Sequence, residues 1–185
     1  DPSYVGWHQD STYWGLSGPE LVNVWLALSP ATVASGAMRM VRGSHLEGQM
    51  SHRETYNKNS LLTRGQEVEM EIDEDAAVDI ELEPGEVSLH HIRTIHGSGP
   101  NKGDDRRMGF TIRYIPTHLH QIHGRDRALL VRGKDEFGHF DHETPPDADL
   151  SKNAIAHYIA ANESHNSILY KGASEKGVYN PKDAI

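Results

Sequence analysis

Two histidines and one carboxylate stand out in this 185-residue chain: His8 and Asp10 in Trp7-His8-Gln9-Asp10, and His96 opening His96-Gly97-Ser98-Gly99-Pro100-Asn101. Such a set can cover one face of an iron(II) ion and leave the opposite face open to a keto-acid and dioxygen. The H-x-D spacing has a mechanical reason. In an extended strand residues i and i+2 point the same way, so His8 and Asp10 converge on one point while Gln9 faces away. Alone the pair is a weak signal, since short His/Asp pairs arise often by chance. A distant H-G-S-G-P-N followed by Arg107 makes it a strong one.

Positioning such a set needs a rigid frame, and the first 116 residues read as short strands with Gly/Pro turns between them. Strands are expected over 21–28, 37–41, 77–82, 87–92 and 107–115. In the first of them Val22, Val24, Leu26 and Leu28 form an aliphatic face, expected to pack on the core. Asn23, Trp25 and Ala27 form a mixed face, expected to line a cavity. Glu47 to Glu67 reads as a polar loop with some helix. Evenly spaced short strands predict a mainly β sandwich or barrel, and a jelly roll accommodates a metal between its sheets. Beyond Pro116 the chain is charged and irregular up to Pro145-Pro146. Asp149 to about Tyr170 then reads as a helix, with Asp149 or Ser151 as its N-cap. The whole length is expected to be one domain, a jelly-roll core over about 4–116 with a C-terminal extension over about 117–185.

Composition excludes several classes. A net charge of −9 argues against non-specific nucleic-acid binding, which needs a basic footprint. Mean hydropathy is −0.63 and no run approaches membrane-spanning length, so no membrane partner is expected. With no cysteine there are no disulfides or thiolate metal sites, which fits a reducing cytoplasm. The chain opens on Asp1 with a ligand motif by residue 8, so an N-terminal segment is expected to be missing from it.

Trp7-His8-Gln9-Asp10, the Trp25 strand, Gly43-Ser44-His45, Pro84-Gly85-Glu86 and His96-Gly97-Ser98-Gly99-Pro100-Asn101 with Arg107 together resemble the phytanoyl-CoA dioxygenase family. The likeness runs over about residues 4–116 and extends to ectoine hydroxylase-like relatives. The resemblance implies a double-stranded β-helix (a cupin-like jelly roll) with long loops. It also implies iron(II) held by His8, Asp10 and His96, 2-oxoglutarate as co-substrate and dioxygen as oxidant. With two neutral imidazoles and one carboxylate the iron site carries a net charge of about +1.

By the same resemblance Arg107 anchors the far carboxylate of 2-oxoglutarate, a task that suits the planar, always-charged guanidinium fork. Ser98 and Trp25 match positions lining the co-substrate, and Gln9 falls within the matched motif. For Trp25 a plain core role is the rival reading. Gly109 is expected to leave room beside the anchor. The implied reaction oxidises a small organic substrate, with release of succinate and carbon dioxide. Asp10 favours hydroxylation over halogenation, because halogenases on this scaffold carry a small residue in its place.

Several features take a plainer reading. His90 and His91 suit buried structural roles. His118, His120 and His123 form H-x-H-x-x-H, which could grip zinc or nickel but has no carboxylate at matching spacing. Arg39, Arg93 and Arg113 could meet an anionic substrate or serve as structural charges. The rival functional readings are a non-catalytic jelly-roll module for a metal or small ligand, an inactive fragment, and a cupin-type metalloenzyme with no keto-acid. Arg107 discriminates against the last. A homodimer that hides an exposed sheet face is a further expectation.

Overall fold

The computed structural model of the chain describes residues 2–174. Its described residues divide into two compact units, residues 2–12 with 19–115, and residues 13–18 with 116–174.

The first unit holds nine short strands: β1 (Val5–His8), β2 (Val22–Ala27), β3 (Met38–Met40), β4 (His52–Glu54), β5 (Gln66–Val68), β6 (Val78–Ile80), β7 (Val87–His91), β8 (His96–Ser98) and β9 (Gly109–Tyr114). One sheet has the order β1-β8-β3-β6 and a second the order β7-β2-β9, while β4 and β5 form a separate hairpin. Every pairing among them is antiparallel. Strands distant in sequence are thereby made neighbours, as β1 and β8 are, and this is the topology of a mainly β jelly roll.

Each expected strand is present, shortened at its ends. The stretch 47–67 differs from its reading as a loop with some helix. A 3-10 turn at Ser44–Glu47 leads into it, and most of it is the β4–β5 arm. Polar strands without a clean alternation leave no pattern to read in sequence. In that arm the buried Arg64 pairs with Glu54 at 2.8 Å.

The two faces of β2 are used differently from the expectation. Asn23 and Ala27, on the mixed face, are almost fully buried toward the other sheet. On the aliphatic face Val24 is buried, but Val22 and its neighbours Val87, Leu89, Phe110 and Tyr114 are exposed, Leu89 to 66%. The face that carries polar chemistry is therefore the inner one. The apolar packing beneath the site comes from Leu21, Met38, Ile92 and Ile95.

In the second unit β10 (Arg127–Ala128) pairs with β11 (Asp141–His142). The short helical turn α1 (Ser11–Trp14) precedes residues 15–18, and Gln121 Nε2 donates to the Trp14 carbonyl at 2.6 Å. Helix α2 spans Lys152–Leu169 and starts at Ser151, whose hydroxyl accepts from the Ala154 amide at 3.1 Å. Of the two expected N-caps, Ser151 is the one used. The helix is fixed by Ile168, buried against Gly124, and by His165, 3.0 Å from Asp126. No helix among the described residues is long and apolar enough to cross a membrane.

Candidate metal and co-substrate site

His8 ends β1 and His96 begins β8, and the two are register partners. Pairing the strands brings the rings to a centroid separation of 4.2 Å. Asp10 lies just past the end of β1, and its Oδ1 stands 3.3 Å from His8 Nε2. One ligand atom from each of the three residues lies within 4.8 Å of the others, and no other such group occurs among the described residues.

Both imidazoles are oriented from behind. His8 Nδ1 is 2.8 Å from the Gly6 carbonyl, and His96 Nδ1 is 2.9 Å from the Thr94 carbonyl. A carbonyl only accepts, so each Nδ1 carries a proton and each Nε2 is turned toward the ligand group, where a metal could take it. That is the usual outer support of a metal-binding histidine. The donor set, two imidazoles and one carboxylate, fits a divalent ion of the iron class.

Electrostatics reinforce this state. Burial alone would raise the Asp10 carboxyl. The hydrogen bond to His8 and the charges of His96, His8 and Arg113 outweigh it and hold Asp10 well below the usual carboxylate range. Burial pushes His96 from 6.5 down to about 3, with His8 adding to the effect, so it is neutral near pH 7. His52 and His90 are also pushed down, chiefly by burial.

These shifts carry a sign for stability. A histidine lowered by folding binds its proton more readily in the unfolded chain. Its contribution is complete above 6.5 and is lost as pH falls from there toward its folded value. Asp10 acts in the same direction at lower pH, below 3.8. Metal-free protein is therefore expected to lose stability steadily on acidification from pH 6.5 to 4.5. Urea melts at the two pH values check this, and equal midpoints would refute it.

Two of the co-substrate candidates meet at the second sheet, Trp25 on β2 and Arg107 just before β9, and the third, Ser98, is on the first. Trp25 is half-buried, and the Arg107 guanidinium stacks on its ring with Cζ 5.4 Å from the centroid. Arg107 is half-buried and has no carboxylate partner among the described residues. Burial pushes its pKa down. A desolvated, unpaired guanidinium is a ready anion site. Ser98 is buried on β8, two residues beyond His96 and hence on the same face.

Gly109 serves the tryptophan more directly than expected. A β-carbon there would collide with Cζ2 and Cε2 of Trp25, so the indole lies across the bare glycine. Gly109→Ala must push the ring off its seat and unstack Arg107. A destabilisation of about 1–3 kcal/mol is expected, as for other overpacked sites. Chemical denaturation would measure it, and an unchanged midpoint would contradict the packing described.

Gln9 departs from its expected place beside the co-substrate. It is fully buried, and its Nε2 donates to the Gly48 and Arg93 carbonyls at 2.9 and 2.7 Å. Its Oε1 accepts from the Met50 amide at 2.8 Å. The side chain is fully committed to tying the loop 48–50 and the turn at residue 93 to the ligand segment. The Gln9 amide meanwhile donates to His52 Nε2 at 2.9 Å.

Residues that sequence reasoning passed over also act here. Ser44 Oγ accepts from the Ile95 amide at 2.8 Å and so fixes the approach to His96. Asn23 Nδ2 donates to Asp10 Oδ2 at 2.8 Å. The available signal for Asn23 was its place on the face shared with Trp25. His118, His120 and His123 do not converge: His120 faces His139, His118 faces Phe137, and His123 lies against Gly15.

Comparison with known proteins agrees with this arrangement. The family model of phytanoyl-CoA dioxygenase (PhyH) matches residues 1–109. A probable alpha-ketoglutarate-dependent hypophosphite dioxygenase of Stutzerimonas stutzeri is 32% identical over 137 residues, which are 70% of this chain and 48% of that protein. A 1-deoxypentalenic acid 11-beta-hydroxylase of Streptomyces arenae is 30% identical over 128 residues, 65% of this chain and 44% of that protein. The chain thus spans about half the length of these relatives. Among solved structures, the non-heme monooxygenase ThoJ in its apo form superposes with a TM-score of 0.80 at 39% identity, over 91% of this chain and 61% of that one. EvdO2 from Micromonospora carbonacea var. aurantiaca, complexed with 2-oxoglutarate, gives 0.51 at 30% identity, over 60% and 44%. With the metal face, the jelly roll and the matched residues in agreement, the chain belongs to the phytanoyl-CoA dioxygenase family.

Proposed function

We propose that the protein is an iron(II)- and 2-oxoglutarate-dependent dioxygenase that hydroxylates a small organic molecule, with release of succinate and carbon dioxide. The observation that carries this reading is the convergence of His8, Asp10 and His96 where β1 meets β8, together with a half-buried Arg107 that stacks on Trp25 just before β9 and has no carboxylate partner among the described residues. A cupin-type enzyme without a keto-acid has no use for that guanidinium. Relatives named as alpha-ketoglutarate-dependent, and a neighbour solved with 2-oxoglutarate, support the co-substrate. A ThoJ–nickel complex supports a metal in this fold.

When bound, iron(II) and 2-oxoglutarate would supply the electrons that activate dioxygen, the oxidant. The chain's own residues bind and orient. His8 and His96 offer Nε2 atoms whose direction is set by backbone carbonyls. Asp10 brings the compensating negative charge. Arg107 pairs with the remote carboxylate of the keto-acid, Trp25 supplies a wall beside it, and Ser98 offers a hydroxyl on the histidine strand. Self-association into a homodimer is favoured by the exposed apolar face of Val22, Leu89, Phe110 and Tyr114.

The test needs no knowledge of the substrate. Metal-free protein is titrated anaerobically with iron(II) and then 2-oxoglutarate, and the weak visible charge-transfer band of the chelate is followed. The band is expected to appear and to saturate at one equivalent. Iron binding without a band would refute the keto-acid, and no iron binding would refute the metal site.

A further inference from the structure

Asp10 is not left to choose how it meets a metal. Its Oδ1 lies toward His8 Nε2, while its Oδ2 is held by Asn23 Nδ2 at 2.8 Å from the opposite sheet. An ionised carboxylate only accepts, so the asparagine must turn its NH2 toward Asp10 and its Oδ1 away. That Oδ1 is buried and has no hydrogen-bond partner, in a side chain only 2% exposed. On β7 the register partner of Asn23 is His90, whose buried Nδ1 also lacks a partner and whose ring lies 5.0 Å from His96. Leaving a buried amide half-satisfied is unfavourable. The fold keeps Asn23 there for the other half, the bond to Asp10.

We infer that Asn23 is a positioning residue that makes Asp10 a one-oxygen ligand and so preserves the third open place on the metal. This rests on reading His8, Asp10 and His96 as a metal face. A carboxylate free at both oxygens can bind a divalent ion through one or through both. With one oxygen from Asp10, three protein atoms are used and an octahedral ion keeps three places, two for the keto-acid and one for the oxidant. With both oxygens only two places remain, and the keto-acid fills them. Asn23 occupies the second oxygen with a hydrogen bond and so excludes the two-oxygen mode. Arg113 pairs with Asn23 in register from β9.

The probe is manganese(II) alone, bound to the whole chain, with water-proton relaxation reporting how many coordinated waters exchange. Asn23→Leu keeps the size of the side chain and removes the amide, and Asn23→Ala removes the side chain beyond Cβ. Wild type is expected to hold about three waters on the ion and each variant about two, so relaxivity at equal occupancy falls by about a third. Manganese affinity should change little, because the lost water is replaced by the second Asp10 oxygen. Wild-type relaxivity at equal occupancy, in whichever variant folds, overturns the inference about Asn23 alone. Failure of the wild type to bind manganese, or an Asp10→Ala variant that binds it as tightly, overturns the metal reading and this inference with it.

Discussion

Replacing Asp10 with alanine is expected to abolish metal binding while leaving the jelly roll folded. Asp10 is the one carboxylate in the ligand group and supplies its only negative charge. Its surroundings are built for the ionised state, since His8 and Asn23 address its two oxygens separately. Without it two neutral imidazoles remain, and a divalent ion held by them alone keeps its full charge in a partly desolvated place. Loss of a partner behind a ligand costs roughly 10–100-fold in metal affinity. Loss of the ligand itself should exceed that range. Calorimetric titration with nickel(II) or iron(II) measures it, and far-ultraviolet circular dichroism checks that the fold persists. A variant that binds within tenfold of wild type would mean that the metal sits elsewhere.

Arg107→Ala separates the co-substrate from the metal. Metal affinity should be unchanged, because Arg107 stacks on Trp25 and makes no bond to His8, Asp10 or His96. Affinity for 2-oxoglutarate should fall by about 3 kcal/mol, roughly a hundredfold, as a buried carboxylate loses its charged partner. Arg107→Lys should recover only part of this, because an ammonium keeps the charge but loses the two-pronged geometry and the flat contact with the indole. The charge-transfer titration gives the numbers directly. Normal 2-oxoglutarate binding by Arg107→Ala would move the anchor to Arg113 or Arg106. Arg106 itself is exposed and lies at the edge where its carbonyl accepts from Ser29.

The ligand motif was legible because its logic is local or nearly so. H-x-D keeps its two side chains within two residues of each other at the end of β1, although Asp10 lies in the turn and not in extended chain, and His96 opens a strand of its own. Ser151 as the N-cap of α2 was legible for the same reason, since the hydroxyl and the Ala154 amide are three residues apart. The β4–β5 arm was not. Its partners are polar, and only pairing across the intervening loop makes them strands.

Gln9 and Asn23 show the boundary most clearly. Both are short polar amides near the motif, and sequence offered each a place beside the co-substrate or on a cavity wall. Gln9 instead reaches carbonyls at residues 48 and 93, and Asn23 reaches Asp10.

By itself the sequence determined the residue types of the His8, Asp10 and His96 group, the candidate anchor Arg107 and the mainly β class, because each follows from side-chain chemistry and short-range periodicity. Tertiary structure alone decided which face of β2 is inner, which oxygen of Asp10 is free, and that Gly109 makes room for Trp25. Those outcomes depend on register between strands far apart in the chain, and a register shift of one residue would turn every such side chain to the other face.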